Sequence, residues 1–307
     1  MNLRTAATRA LLACTLIATS APVLAWNAAG HRLTATIAWQ AMDEETRTAA
    51  GRLLAAHPDY AVWLARNRTE DPAQGAFIEA STWPDDIRRD ARFHDDSDAE
   101  TRQLPGFPDM ARRGRWHYID QPLFAKPVQR PGDGELPLRM AQLVRTLGQR
   151  DGGIAARAYA LPWLIHLVGD AHQPLHTVSR YDEEARGDEG GNRLWIDNPF
   201  HPRRREMTLH AYWDDLPGPP WLRGERLEKA AERLAALGHR PESVGTVGQW
   251  LKEGRTLAET VVYEGLEGEV PTLTSAYHER AQRTANERVV LAGRRLALLL
   301  EKLLRQQ

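Results

Sequence analysis

Apolar residues recur at helical spacing along most of the chain, and polar segments rich in Asp, Gly and Pro separate the apolar stretches. A repeat of about 3.6 residues is typical of amphipathic helices. The longest such stretch carries a stripe of valine and leucine. The pattern predicts helices over residues 31–42, 44–56, 60–67, 73–90, 138–149, 209–214, 227–237, 247–263 and 276–304.

The most apolar segment predicts the central helix. Leu161–Ile165 contains only apolar residues and proline, so this helix should be buried. Pro162 fits a first turn, where the missing N–H leaves no hydrogen bond unmade. We expect the helix to start there and to end or bend at Gln173, because a residue that precedes a proline avoids helical geometry.

Two segments repeat the same spacing of a histidine and an aspartate. His166 and Asp170 are four residues apart, as are His210 and Asp214, so on a helix each pair projects from one face. His176 follows the end of the central helix and can fold back beside the first pair. Imidazole and carboxylate groups are ligands that zinc accepts. The two segments therefore predict metal binding.

Short β-branched and aromatic segments indicate little sheet. Trp116–Asp120 is predicted to be extended, and Arg193–Asp197 is predicted to be a strand with a hairpin partner near Arg205–Met207. No internal repeat or linker-like break appears, so we expect one domain over residues 26–307. The predicted fold class is all-α, a single multi-helix domain with a small β-hairpin insertion.

The composition is that of a soluble globular protein. Of 307 residues, 42% are hydrophobic and 26% are charged, and this length allows a sizeable core. The formal net charge of −1 gives no basic excess, which argues against a conventional DNA-binding protein. Bound metal ions would add positive charge that this count ignores.

Residues 1–25 have the features of a signal peptide, with a basic start, a short apolar stretch and a cleavage site at Val23–Ala25. We predict cleavage after Ala25 and a secreted or periplasmic protein, and rank a lipoprotein box at Leu11–Cys14 lower. No apolar stretch is long enough to span a membrane. Cleavage would remove Cys14, the only cysteine, so stability would depend on the core or on metal.

Cleavage at this position would leave Trp26 as the first residue. A terminal tryptophan can be a simple anchor, but its free α-amino group has an ordinary pKa of about 8 and binds metal once deprotonated. His31 follows five residues later. A lone histidine there would usually be a helix cap or a surface residue, but beside a free amine it becomes a candidate ligand.

The histidines differ in their surroundings. Five lie in segments with candidate metal chemistry, namely His31, His117, His166, His176 and His210. Five others lie in polar or turn-like surroundings and should be solvated, namely His57, His94, His201, His239 and His278. His172 is off the face of its helix that carries the ligands, so it is left out. Pro84 should kink the helix over residues 73–90 and present Asp85 inward.

Six motifs follow one another along the chain, namely Trp26 with His31, Trp83-Pro84-Asp85, His117-Tyr118-Ile119-Asp120, the eleven-residue segment His166–His176, Gly190-Gly191-Asn192 and Leu209–Asp214. In this order the motifs resemble those of the trinuclear-zinc single-strand nucleases, also called 3′-nucleotidases, of the phospholipase C/nuclease superfamily. The eleven-residue segment is the most specific of them, and the helical remainder fits the family's length.

The resemblance implies three zinc ions per chain, which stabilise the fold, and it implies their ligands. Those of the first ion would be Asp85, His117, His166 and Asp170, the last bridging to the second ion. The second ion would also bind the terminal amine and carbonyl of Trp26 and the side chain of His31. The ligands of the third ion would be His176, His210 and Asp214. Such a site would be strongly positive although the protein is slightly acidic.

The resemblance also implies the activity. An exported phosphodiesterase would cleave RNA and single-stranded DNA to 5′-phosphorylated products, with 3′-nucleotidase activity, by attack of a zinc-bridged hydroxide. Asp85, Arg88 and Asp170 would be catalytic. Arg88 and Asn192 would hold phosphate oxygens. Tyr118 would stack an unpaired base where many relatives have phenylalanine. No membrane insertion and no obligate protein partner is implied.

Two other functions stay open at this point. A zinc phospholipase C shares the tryptophan terminus and the three-zinc scaffold by superfamily resemblance. Against it, the Gly-Asp-x-x-Gln-Pro-Leu-His form is that of the nucleases, and no lipid-binding domain or amphipathic membrane helix is evident. A non-catalytic exported zinc-binding protein would have closed sites, whereas Asp85, Arg88 and Asn192 indicate an open one.

Overall fold

The structure is a computed structural model that describes residues 26–123, 133–149, 151–182, 187–238 and 241–305. The predicted signal peptide, with Cys14, lies outside these ranges. The helices are α1 (Ala28–Ala41), α2 (Glu44–Ala55), α3 (Tyr60–Arg66), α4 (Pro72–Ala80), α5 (Trp83–Asp86), α6 (Leu136–Gly148), α7 (Ile154–Asp170), α8 (Leu209–Asp215), α9 (Gly224–Leu237), α10 (Val247–Leu257) and α11 (Ser275–Leu304). The strands are β1 (Gln121–Leu123), β2 (Val178–Arg180), β3 (Trp195–Asp197) and β4 (Glu206–Thr208). The predicted all-α class is confirmed.

Helix α7 is the most buried element. Its residues from Ala158 to Asp170 are all buried, and helices α1, α2, α5, α6 and α11 pack against it. Helix α11 also packs along α1. There a Cβ at Gly293 would lie 2.8 Å from the Cβ of Ile37, so this close approach requires glycine. Within the described ranges, no helix combines the length and the apolar character needed to cross a membrane.

Helix α7 begins earlier than predicted. It starts at Ile154, so Pro162 lies inside the helix and not in its first turn. The alanine-rich turn at 155–160 favours helix. Pro162 removes one N–H donor from a segment that tertiary packing holds in place. The predicted end is confirmed, because the helix stops at Asp170 and Gln173 is extended (φ −82°, ψ 117°).

The segment predicted as one kinked helix over residues 73–90 is broken into shorter elements. Helix α4 ends at Ala80, and α5 begins at Trp83. A proline lacks the N–H that a helix interior needs but is tolerated in a first turn, so Pro84 starts a new helix instead of kinking the old one. Asp85 is still presented inward as predicted, since it reaches the buried histidines described below.

Two small sheets accompany the helices. Strands β3 and β4 form the predicted antiparallel hairpin. Strands β1 and β2 form a parallel pair that begins at Gln121 and Val178, which we did not predict. The predicted extended segment 116–120 starts in a 3₁₀ turn that ends at His117, and the backbone becomes extended at Tyr118 (φ −148°).

His57 was predicted to be solvated, and this is wrong, because its ring is only 3% exposed. The ring stacks on Trp63 with 4.6 Å between centroids and meets Trp83 at an angle of 80°. Its Nδ1 accepts the N–H of Asp59 at 3.0 Å. The error arises because these partners come together only by tertiary packing. Three others are partly exposed, namely His94, His201 and His278, and His239 lies outside the described residues.

Candidate metal centre

Eight of the predicted ligand side chains converge in the interior. They come from α1, α5, α7, α8 and the 3₁₀ turns at Gly114–His117 and Pro174–His176. Their N and O atoms lie close enough to hold metal ions in three groups. The converging side chains are His31, Asp85, His117, His166, Asp170, His176, His210 and Asp214.

The carboxylate of Asp170 lies between two of these groups. Its Oδ2 is 3.1 Å from Nδ1 of His117 and 3.3 Å from Nε2 of His166. Its Oδ1 lies 3.4 Å from Nε2 of His31. The two oxygens thus face different histidines. This arrangement suits a carboxylate that is shared by two metal ions.

Asp85 completes the group that contains His117 and His166. Its Oδ1 lies 3.9 Å from Nδ1 of His117 and 3.9 Å from Nε2 of His166, and these two nitrogens are 3.0 Å apart. The break between α4 and α5, at Ser81 and Thr82, gives Asp85 this position. Three donor atoms from three separate segments therefore point to one place.

The third group repeats the His-x-x-x-Asp geometry in helix α8. Nε2 of His210 lies 3.4 Å from Oδ2 of Asp214 and 3.1 Å from Nε2 of His176. Gln173 donates to Oδ1 of Asp214 at 2.9 Å and so leaves Oδ2 facing the histidines. The predicted set of three side chains is brought together here.

Main-chain carbonyls hold three of the imidazole rings. Nδ1 of His166 donates to the carbonyl of Ser81 at 2.8 Å, and Nδ1 of His176 donates to that of His117 at 2.7 Å. Nδ1 of His210 donates to the carbonyl of Gly190 at 2.7 Å. A carbonyl only accepts, so in the neutral ring the proton is on Nδ1, and Nε2 keeps a lone pair for a metal.

The donor set fits bound cations. With their protons on Nδ1, His176 and His210 direct two lone pairs at each other across 3.1 Å. Nε2 of His31, Oδ1 of Asp85 and Oδ1 of Asp170 are buried and make no hydrogen bond. Buried polar atoms normally have a partner. A cation within each group would supply one for all of these atoms.

The ionisation of these groups follows from burial. In the protein without bound cations, burial and the neighbouring His166 lower the pKa of His31 well below its ordinary value. Burial and the charge of Arg88 do the same for the pKa of His117. Burial raises the pKa of Asp170 to about 6 and that of Asp214 well above its ordinary value. The neutral imidazoles of His31 and His117 are ready to bind metal, and a cation would favour the charged carboxylates.

Comparison with known proteins identifies the family. The model of the S1/P1 nuclease family matches residues 26–305. The chain belongs to the S1/P1 nuclease family. This confirms the resemblance inferred from the motifs, and the matched range begins at Trp26, the predicted first residue of the mature chain.

Three plant relatives of this S1/P1 family member support the assignment. Endonuclease 3 of Arabidopsis thaliana is 25% identical over 202 residues, 63% of this chain and 54% of that protein. Endonuclease 4 is 27% identical over 211 residues, 63% of this chain and 55% of that protein. Endonuclease 1 is 25% identical over 322 residues, 95% of this chain and 91% of that protein. The chain thus spans about half the length of the first two relatives.

Trp26 of this S1/P1 family member is fully buried beside α7. Its indole N–H donates to the carbonyl of Gly169 at 3.1 Å, directly before Asp170 in the chain. A Cβ at Gly30 would lie 2.7 Å from the Cβ of Trp26, so the first turn of α1 packs tightly on it. The side chain therefore anchors the start of the family domain next to Asp170, and metal binding by its amine stays a prediction.

A cleft of about 740 Å³ opens beside the metal centre. Arg88, Tyr118 and His210 line it, and Nε of Arg88 lies 3.4 Å from Oδ1 of Asp85. The hydroxyl of Tyr118 donates to Asp133 at 3.2 Å. A guanidinium and an aromatic ring thus reach the same cleft, as the predicted phosphate and base contacts require.

Asn192 is placed differently. Its amide donates to the carbonyl of Glu189 at 2.8 Å, within the turn whose Gly190 carbonyl holds His210. Among the described residues, Asn192 is not part of the cleft lining. Its predicted contact with phosphate therefore stays a prediction.

Two residues near the site were overlooked. Gln173 links Asp214 to the turn after α7, and its position within the eleven-residue motif was a usable signal. Asp120 lines the cleft, and burial together with the nearby Asp133 raises its pKa to about 7. The omission of His172 from the ligands agrees with its buried bonds to the Val168 carbonyl and Arg295.

Proposed function

We propose that this protein is a zinc-dependent phosphodiesterase that cleaves RNA and single-stranded DNA to 5′-phosphorylated products and hydrolyses 3′-nucleotides. The observation that carries the proposal is the shared position of Asp170, between two groups of metal-binding side chains, at a cleft lined by Arg88 and Tyr118. The family membership agrees with it. The first two plant relatives are matched over about half of their length.

Zinc is the metal that best suits the donor set. The three groups offer imidazole nitrogens and carboxylate oxygens, a mixture that zinc accepts, whereas magnesium and calcium prefer oxygen alone. The first ion would be held by Asp85, His117, His166 and Asp170. The second would be held by Trp26, His31 and Asp170, and the third by His176, His210 and Asp214.

The protein side chains position the substrate. When bound, zinc ions supply Lewis acidity and lower the pKa of a coordinated water. The guanidinium of Arg88 offers a planar fork of N–H donors for two phosphate oxygens. Tyr118 offers a ring face to an unpaired base, and stacking tolerates any base. Selectivity for single strands would then follow because a paired base cannot reach the ring.

Export belongs to the same proposal. Residues 1–25 would be removed as a signal peptide, and the protein would act in the periplasm or outside the cell. Removal would also create the free amine of Trp26 that the second zinc ion needs. The proposed ligand set and the proposed localisation therefore depend on the same cleavage.

One experiment tests the proposal. Protein with Trp26 as its first residue is analysed for zinc and assayed on single-stranded DNA, RNA, duplex DNA, a 3′-nucleotide and phosphatidylcholine micelles. We expect three zinc ions per chain and products with 5′-phosphates from the single strands. Hydrolysis of phosphatidylcholine alone would identify a phospholipase C instead. Zinc binding without hydrolysis of any substrate would identify a non-catalytic zinc protein.

A further inference from the structure

A loop that supplies no metal ligand of its own holds His210, a candidate ligand of the third group. The carbonyl of Gly190 accepts a hydrogen bond from the ring of His210 at 2.7 Å, and the carbonyl of Gly191 accepts one from its main-chain N–H at 3.3 Å. We call residues 187–194 the glycine turn. It fixes both the backbone and the ring orientation of His210.

The glycine turn has an unusual backbone. Glu189, Gly190 and Gly191 all have positive φ values, of 53°, 61° and 82°. A Cβ at Gly190 would lie 2.4 Å from the carbonyl oxygen of Leu175, so only glycine fits there. A residue such as Glu189 stays in this region only when surrounding contacts hold it.

Asp188 supplies several of those contacts, and the N–H of Glu189 adds one by donating to Oγ of Ser179 at 3.1 Å. Its N–H donates to the carbonyl of Arg180 at 2.9 Å, and its carbonyl accepts the N–H of Arg193 at 3.0 Å. Its Oδ1 accepts the N–H of Arg180 at 2.8 Å. Its Oδ2 accepts the hydroxyl of Tyr263 at 2.7 Å. The residue directly before the left-handed segment is thus tied to strand β2 and to a distant tyrosine.

Tyr263 comes from the C-terminal third of the chain. It directly follows a π-helical turn at Ala258–Val262, a rare element that often marks functional sites. Its ring lies 4.8 Å from the guanidinium of Arg180, and its side chain is only 6% exposed. Burial and the nearby Asp188 raise its pKa well above the ordinary value, so the hydroxyl keeps its proton and donates.

We propose that Tyr263 is a positioning residue of the metal centre. Its hydroxyl holds Asp188, Asp188 holds the glycine turn, and the Gly190 carbonyl of that turn orients His210 toward His176 and Asp214. This inference rests on the proposed function only for the presence of a zinc ion in the third group. It gives the C-terminal helices a role in metal affinity in addition to packing.

The test measures zinc retention by the holoenzyme during titration with a chelator. Loss of a hydrogen bond to a metal-bound histidine typically weakens affinity by about 10- to 100-fold. Tyr263 acts two contacts further out, so we expect Tyr263→Phe to weaken one of three ions by about 10-fold. The other two ions should be retained as in the wild type. His210→Ala, which lacks a ligand of the third group, identifies the affected ion.

Tyr277→Phe is the matched control. The Tyr277 hydroxyl is also buried and donates to the carbonyl of Val262 at 2.6 Å in the same π-helical turn. It also accepts the indole N–H of Trp213 in α8 at 3.2 Å, and neither bond reaches the glycine turn or the ring of His210. This variant should lose a similar amount of stability and keep all three ions. Equal zinc loss from the two tyrosine variants would mean that Tyr263 is merely structural and would overturn the proposal.

A double-mutant cycle separates this proposal from the proposed function. Asp188→Asn alone should weaken the same ion, and adding Tyr263→Phe should weaken it no further, because the two side chains act as one unit. Additive losses would overturn the inference. If Tyr263→Phe folds poorly, Asp188→Asn alone tests the inference, and a third ion held as in the wild type would overturn it. A wild type that holds three ions but hydrolyses no nucleic acid would contradict the proposed function and leave this inference intact.

Discussion

The Nε2 atoms of His176 and His210 lie 3.1 Å apart in the protein interior, while the Nδ1 atom of each ring donates to a main-chain carbonyl. Two lone pairs therefore face each other at this distance. This pairing is unfavourable unless a cation lies between the rings. The free energy of metal binding should for that reason contribute directly to folding.

Metal removal should therefore destabilise the protein. An ion present at a thousand times its Kd contributes about 4 kcal/mol to stability. Prolonged treatment with a chelator should lower the Tm markedly, and added zinc should restore it. Magnesium should not restore it, because magnesium prefers oxygen ligands. An unchanged Tm after verified loss of all zinc would contradict this account of the buried histidines.

Asp170→Asn should disable two ion sites at once, because the Asp170 carboxylate faces both His31 and His117. We expect reduced zinc content and a fall in kcat of at least about 10³-fold, since metal ions supply several kcal/mol of transition-state stabilisation. Asp86→Asn is the control, because Asp86 is a surface carboxylate paired with Arg66. If both variants kept three ions, the bridging role would be wrong.

Tyr118 should act on binding and not on the metal. Stacking on an aromatic ring is worth about 1–3 kcal/mol per base, so Tyr118→Ala should raise KM for short substrates by about 10-fold with kcat nearly unchanged. Tyr118→Phe keeps the ring and loses only the bond to Asp133, so its KM should stay close to the wild type. A large fall in kcat for the alanine variant would place Tyr118 in the chemical step instead.

The amine of Trp26 can be tested by one added residue. An alanine placed before Trp26 converts the amine to an amide, which is a poor zinc ligand. We expect the extended protein to hold two zinc ions in place of three and to lose most of its activity. The indole bond to Gly169 should survive, so the fold should remain. Full activity of the extended protein would refute the ligand role of the amine.

Two histidine–aspartate pairs among the candidate metal ligands could be predicted because their spacing is local. A histidine and an aspartate four residues apart share a helix face whatever packs around them, and α7 and α8 present both pairs as expected. The supporting contacts could not be predicted in this way. The carbonyls of Ser81 and Gly190 that orient the rings carry no residue-type signal, since every residue has a carbonyl.

The same distinction between local and tertiary information explains where the prediction of the fold was wrong. The parallel pairing of Gln121 with Val178 joins segments far apart in sequence, and three-residue strands leave little periodicity to detect. The start of α7 was misplaced because Pro162 was interpreted from local rules, whereas packing on all sides keeps the helix continuous through it. Tertiary context decided each of these cases.

The buried ring of His57 should make stability depend on pH. Burial lowers its pKa to about 4, against 6.5 for an unperturbed histidine, so the unfolded chain binds a proton more readily than the folded protein. The stability that the neutral ring contributes is fully present above pH 6.5. It falls by about 3 kcal/mol in total as the pH is lowered to 4.

The variant His57→Asn tests this dependence, because asparagine keeps an acceptor for the N–H of Asp59 but does not titrate. The difference in free energy of unfolding between wild type and variant should therefore shrink by that amount between pH 7 and pH 4. Acid release of metal affects both proteins equally and cancels. A difference that is constant with pH would show that His57 titrates normally in the folded state.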